Sequence, residues 1–190
     1  NAPSDSPGAG TCLASLSQTE PPHCVFGKES GRLTLALVGD SKVLQWLPAF
    51  ERLAFSRNWR ILTFTKAACA FTAASIRRPG TKRMYESCGL WNRNTLMRLL
   101  IERPDYVITS QNTEFALVGG AVNFGEAGIA AMVEGLHRHW TTLLEAGIPV
   151  VVISDTPRPG KQVHRCVANN PDRLTKCAFP PATGARKGSV

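Results

Sequence analysis

The feature that most constrains this chain's fold is a short apolar run that stops at a polar tripeptide: Leu33-Thr34-Leu35-Ala36-Leu37-Val38, then Gly39-Asp40-Ser41. Six residues of mostly leucine or β-branched character, bounded by Gly31 and Gly39, read as a buried parallel strand whose end is thrown into a tight turn. The turn presents Ser41. From Lys42 to Ser56, apolar residues fall at Leu44, Leu47, Phe50, Leu53 and Ala54, a helical spacing, and Pro48 inside it means that the helix starts near Trp46 or kinks there. Ser41 would therefore lie between a strand's carboxyl end and a helix's amino end, where open α/β sheets keep their chemistry. Free amides there can stabilise an oxyanion, and a hydroxyl can act as a nucleophile if a base reaches it. The plain alternative is that Ser41 is an ordinary N-cap.

Strand and helix signals then alternate along the chain. Arg60 to Thr65 is a second strand. A long connection from Lys66 to Asn92 holds Cys69, Arg77-Arg78-Pro79-Gly80 and Cys88, and its first residues fall on the same rim as Ser41. Asn94 reads as the cap of a helix from Thr95 to Arg103 that Pro104 stops. Asp105 to Ser110 is a third strand, which carries Asn112 to the rim. A long helix from about Glu126 to Ala146 ends at Gly147, and Ile148 to Ser154 is the fourth strand. Beyond Asp155-Thr156-Pro157 the chain is Pro- and Gly-rich, with no further strand or helix signal. Residues 1–31 form a Pro/Ser/Gly-rich lead-in and 32–190 the folded domain. The alternation predicts an α/β fold, a parallel sheet with helices on both faces and right-handed crossovers.

Six cysteines stand in three close pairs, Cys12 with Cys24, Cys69 with Cys88, and Cys166 with Cys177. None forms a Cys-x-x-Cys signature. Many connectivities are open to six cysteines, and local pairing is expected because each pair brackets a loop. Bridged cysteines would mean an oxidising compartment. No apolar run is long enough to span a membrane, and the first residues lack the basic-then-apolar profile of a signal peptide. The formal net charge is +8. The basic residues are scattered, with only Arg77-Arg78 and Lys82-Arg83 in close pairs, and no nucleic-acid-binding module is visible, so nucleic acid is not an expected partner. A solvated basic surface and an attraction to anionic cell-envelope polymers both stay open.

Ser41 after strand one, the Lys66 to Cys69 turn after strand two and Asn112 after strand three resemble the SGNH (GDSL-like) hydrolase superfamily. In that superfamily a Gly-Asp-Ser near the amino end supplies the nucleophile and an Asn after the third strand helps form the oxyanion hole. More narrowly, Gly39-Asp40-Ser41 followed by Gln45-Trp46-Leu47-Pro48-Ala49, with Asp155-Thr156-Pro157 ahead of a cysteine-bracketed loop, is similar to the extracytoplasmic SGNH domain of bacterial acyltransferase-3 fusion proteins. The similarity spans about Leu33 to Cys177. It implies a three-layer α/β/α flavodoxin-like fold. It also implies an acyltransferase in which Ser41 takes an acyl group, most simply acetyl, and passes it to a hydroxyl of an envelope polysaccharide. The Ser41 amide, the backbone amide of Ala68 and the Asn112 side chain would hold the oxyanion. No metal or cofactor is implied. The implied partner is a membrane acyltransferase-3 domain of the same parent protein, which tethers the domain to the membrane outside the cytoplasm, in the periplasm or at the cell surface.

The chain departs from the family pattern at several positions. Lys42 follows the serine where family members carry His or Asn. The second block has no glycine, so its amide falls to Ala67 or Ala68, and the third is Gln111-Asn112 without the usual Gly-x-Asn-Asp. The Asp-x-x-His block near the carboxyl end is absent, since no Asp stands three residues before any His. His23 belongs to the lead-in, His137 and His139 read as surface residues of the long helix, and His164 follows the fourth strand. The expectation is a fold lacking its last strand and helix, with the Asp-x-x-His block following Val190 in the parent protein and residues 1–190 alone nearly inert. The rival readings are a non-catalytic SGNH-like domain that binds glycan or partner, and a carbohydrate esterase.

Overall fold

The computed structural model describes residues 11–112, 115–155 and 162–180. The chain divides into two compact units between Ile153 and Ser154. The first holds, in order, β1 (Leu13–Ala14), β2 (Cys24–Gly27), β3 (Leu33–Gly39), α1 (Ser41–Leu44), α2 (Leu47–Arg57), β4 (Trp59–Lys66), α3 (Glu86–Glu102), β5 (Tyr106–Ser110), the two-residue strands β6 (Leu117–Val118) and β7 (Ala121–Val122), α4 (Glu126–Glu145) and β8 (Val150–Val152).

The main sheet has the order β1-β4-β3-β5-β8, every one of these pairings parallel, and β2 adds antiparallel to β4. β3 is central because both of its faces are apolar. Its side chains alternate across the sheet. Ala36 and Val38, with Leu62 and Phe64 of β4, pack under α3 and α4 through Trp91, Leu99, Leu136 and Leu143. Leu35 and Leu37, with Ile61, pack under α1 and α2 through Val43, Leu47 and Ala54. Three layers, α/β/α, follow from that period-two division of one buried run. The lead-in is tied to the sheet, since β1 and β2 both pair with β4 and the Cys12–Cys24 disulfide links them.

The helical signal after Ser41 breaks in two. α1 ends at the Gln45 cap, and α2 begins at Leu47 with Pro48 in its first turn, where the missing N–H costs nothing. α3 corrects the sequence reading more strongly. It starts at Glu86, so Asn94 lies inside the helix and caps nothing. Its side-chain amide instead donates to the Thr19 carbonyl (3.1 Å) and to Glu20 Oε1 (2.7 Å), a tertiary pairing that overrides the residue's capping preference. The connection after β4 is correspondingly shorter, and the Cys69–Cys88 disulfide pins it to the first turns of α3.

The second unit also departs from its sequence reading. It carries α5 (Val163–Asn169) and a 3-10 turn over Leu174–Cys177, joined by the Cys166–Cys177 disulfide. No residue of α5 is buried, so no apolar periodicity announced it. A closed disulfide loop of this size holds a short helix by restricting the unfolded chain, an effect on the order of 3 kcal/mol. Thr156 and Pro157 lie outside the described residues.

Candidate active site

Register brings three loops to one edge. Gly39 of β3 stands opposite Thr65 of β4 on one side and Ser110 of β5 on the other. Two residues further on in each segment come Ser41, Ala67 and Asn112. Gly39 permits this junction. It has φ +141°, and a Cβ on it would lie 2.7 Å from the Ser110 carbonyl oxygen.

Asp40 organises the edge. Its backbone is extended, and its buried carboxylate accepts from the Lys42 amide at 2.8 Å through Oδ1 and from the Asn112 amide at 2.9 Å through Oδ2. Asp40 is thus the N-cap of α1, which removes that role from Ser41. Ser41 occupies the first helical position and is exposed, and neither its N–H nor its hydroxyl has a hydrogen-bond partner among the described residues. α1 has four residues, so its macrodipole is small, and any anion held here is held by individual amides.

The turn after β4 offers a second free amide. The Cys69 amide bonds the Lys66 carbonyl at 3.3 Å, closing a turn around Ala67 and Ala68. Ala67 donates to the Ala14 carbonyl at 2.9 Å, whereas the Ala68 N–H has no acceptor among the described residues. Of the two alanines that could supply an amide, the geometry leaves Ala68. Its φ of +48° is the left-handed conformation that glycine takes most easily. The Tyr85 hydroxyl donates to the Ala67 carbonyl at 3.0 Å, and in a trans peptide that carbonyl and the Ala68 N–H point in opposite directions.

The family model of the SGNH domain fused to AT3 domains matches residues 11–187. The chain belongs to that SGNH family. Among solved structures it is similar to a Salmonella ser. Paratyphi A lipopolysaccharide acetyltransferase periplasmic domain, with TM-score 0.51 and 11% identity over 78% of this chain and 60% of that one. The likeness is one of fold, and the chain spans less than two thirds of that domain's length. Curated protein sequences hold no match to it. Membership fits the three-layer parallel fold, the Gly-Asp-Ser turn at the end of β3 and an acyltransferase-associated function. All six cysteines of the SGNH domain are paired, which belongs to an oxidising, extracytoplasmic compartment. No helix among the described residues is long and apolar enough to cross a membrane.

The first unit's histidines have partners away from Ser41. His23 Nε2 lies 3.4 Å from Glu102 Oε1 at the end of α3, and His137 Nε2 lies 3.4 Å from Thr141 Oγ1 on α4. His139 corrects its sequence reading. It is buried, not a surface residue, and its ring lies 4.8 Å from that of Phe71. Burial, reinforced by Arg138, pulls its pKa down from 6.5 to about 4, so it is a neutral core residue at pH 7. His164 lies on α5 in the second unit and is exposed.

Sequence reasoning also missed the groups behind the turn after β4. Lys66 is buried, and its Nζ donates to the Ser15 (2.6 Å) and Gln18 (2.5 Å) carbonyls beneath the Tyr85 ring. Burial and the nearby Arg78 lower its pKa to about 8. Burial also raises the Tyr85 phenol to about 12, which keeps it a donor. Asn92 completes the support. Its Oδ1 accepts from the Thr72 amide, and its Nδ2 donates to the Ala70 carbonyl beside the Cys69–Cys88 sulfurs. Only Asp40 had a sequence signal, an Asp directly before a helical run.

Proposed function

We propose that this SGNH domain is an O-acyltransferase that carries an acetyl group as a serine ester on Ser41 and delivers it to a hydroxyl of a cell-envelope glycan. The observation that carries the proposal is the pair of unpaired amides, Ser41 and Ala68, on the sheet edge where Asp40 binds Asn112. Two N–H groups and a side-chain amide at one edge suit the negative tetrahedral intermediate of acyl transfer. In the first step the Ser41 oxygen bonds the acyl carbon, the donor's acyl bond breaks, and the serine proton passes to a base. In the second step the glycan hydroxyl attacks the serine ester, a sugar ester forms and Ser41 recovers its proton. Asn112 is the side-chain donor and Ala68 the backbone donor. The acetyl donor is proposed to come through an AT3 partner, as the family's fusion suggests.

The base is proposed to be the His of an Asp-x-x-His block outside these 190 residues, since no described residue bonds the Ser41 hydroxyl. That same observation favours one rival, a non-catalytic binding domain. A test separates the two. The 190-residue chain should turn over an activated acetyl ester barely above background and react poorly with a serine-directed phosphonate. A longer version carrying an Asp-x-x-His block should gain roughly a thousandfold in both, and Ser41→Ala should abolish the gain. A longer version that stays inert with Ser41 intact refutes the acyltransferase. Hydrolysis without transfer to any glycan hydroxyl assigns the site to an esterase.

A further inference from the structure

Four arginines that stand apart in sequence line two adjoining cavities. Residues 66–93 hold Lys66, Arg77, Arg78, Lys82, Arg83 and Arg93 against one carboxylate, Glu86. Four of these cations ride on a small hairpin, closed by the Arg77–Met84 bridge and by a 2.9 Å bond from the Arg78 amide to the Arg83 carbonyl. The hairpin borders two adjoining cavities that share Met84 and Glu86. One, of about 820 Å³, is lined by Arg78 and Arg83; the other, of about 430 Å³, by Arg93, Arg138 and neutral His139. The lining therefore carries four guanidiniums and one carboxylate. Arg78, Arg83 and Arg93 form no ion pair or side-chain hydrogen bond among the described residues, and Arg138 makes only a long contact with the Ala73 carbonyl at 3.4 Å. Tyr85 lines the second cavity and bonds the Ala67 carbonyl, so one wall of the groove is continuous with the turn that carries the Ala68 amide.

We propose that this groove, with Arg78, Arg83, Arg93 and Arg138 as its cationic groups, binds an acidic glycan, a chain whose sugars bear carboxylate or similar anionic groups. The proposal rests on the acyl-transfer reading for its purpose, seating the acceptor beside the oxyanion turn, but not for the binding itself. Unpaired guanidinium forks match carboxylates in charge and geometry. Ser75 supplies a hydroxyl for sugar hydroxyls, and the Ser17, Thr81 and Ser87 hydroxyls, which already bond within the protein, keep lone pairs that can accept from them. The site is charged beyond what the fold compensates: Arg78 already disfavours the proton on buried Lys66, a repulsion that a bound anion would relieve. A concave groove of this volume fits a few sugar units better than a flat membrane surface. Single-stranded nucleic acid would need exposed rings for stacking, and the aromatic groups lining the cavities, Tyr85 and His139, are both buried.

The test measures binding of a labelled oligogalacturonate and of a neutral malto-oligosaccharide of equal length to the 190-residue chain at physiological salt. The acidic oligomer should bind at least tenfold more tightly. Arg78→Ala with Arg83→Ala should weaken it at least tenfold, and so, separately, should Arg93→Ala with Arg138→Ala. Arg52→Ala with Arg57→Ala, equal in charge loss but on α2 across the sheet, should leave it within twofold. Equal losses from all three pairs would reduce the effect to net charge and overturn the groove. So would equal affinity for the neutral oligomer, or tighter binding of an oligonucleotide or of anionic vesicles. In a longer version that carries an Asp-x-x-His block, groove binding without acyl transfer refutes the acyltransferase alone, and acyl transfer to a glycan without groove binding refutes the groove alone.

Discussion

Asp40 and Asn112 are joined across two parallel strands, the Asn112 amide donating to Asp40 Oδ2 at 2.9 Å while Oδ1 of the same carboxylate caps α1. One buried side chain therefore sets both the Ser41 turn and the start of the loop after β5. Asp40→Ala removes an N-cap and a charge-assisted bond and leaves two amides short of this acceptor. It should lower the unfolding free energy by about 2 to 3 kcal/mol in urea titrations. Faster hydrogen exchange at the Asn112 amide would show that the link between the strands has gone. Unchanged exchange there would mean that Asp40 acts only as a cap.

Ala68 takes a left-handed φ of +48°, in which alanine is strained and glycine is not. Ala68→Gly should therefore raise the unfolding free energy by about 0.5 to 1 kcal/mol, against the usual direction of such a substitution, and leave the backbone N–H in place. Loss of stability in the same denaturant titration would show that the turn is not strained.

How much of this was legible depended on where each residue's preference was decided. β3, β4 and β5 could be read because burial on both faces leaves nearly continuous apolar runs. The start of α3 could not, because Asn92 and Asn94 look like turn residues until their partners, Thr72, Ala70, Thr19 and Glu20, are brought close by the fold. α5 rests on a disulfide and buries nothing, so it has no pattern to find. His139 was findable. Met132, Leu136, His139 and Leu143 are spaced by four, three and four, the buried stripe of α4, but the flanking His137 and Arg138 made the segment read as surface. Of the site, Ser41 and Asn112 lay in recognisable strand ends. The aim of the Ala68 amide depends on Tyr85, seventeen residues away, for which no local signal exists.

His139 makes stability depend on acid. Its pKa falls from 6.5 unfolded to about 4 folded. Above pH 6.5 the ring is neutral in both states and adds no pH dependence. Between 6.5 and 4 only the unfolded chain takes the proton, so stability is lost as pH falls through that window, by up to roughly 3 kcal/mol. His139→Leu should flatten this part of the stability profile relative to the native chain, read as the difference between urea midpoints from pH 7 to pH 4. Parallel profiles for the two proteins would show that His139 is protonated normally in the folded state.

Tyr85 is placed to aim the amide proposed for the oxyanion hole without touching any reacting atom. Its hydroxyl holds the Ala67 carbonyl at 3.0 Å, which fixes the plane of the Ala67–Ala68 peptide and hence the direction of the Ala68 N–H on its far side. Burial keeps the phenol protonated, so it is a constant donor through the neutral range. Tyr85→Phe keeps the packing of a ring that is 2% exposed and removes only the bond, which should cost about 1 kcal/mol of stability. In a longer version of the chain that carries an Asp-x-x-His block, the same change should lower kcat about tenfold with little change in KM, because a misdirected amide weakens only the charge that develops in the transition state. In the 190-residue chain the Ala68 amide nitrogen should shift in NMR spectra while residues of α2 do not. A stability loss with kcat preserved would make Tyr85 a packing residue. A matched fall in kcat and shift of the Ala68 resonance would establish it as the group that positions the oxyanion hole.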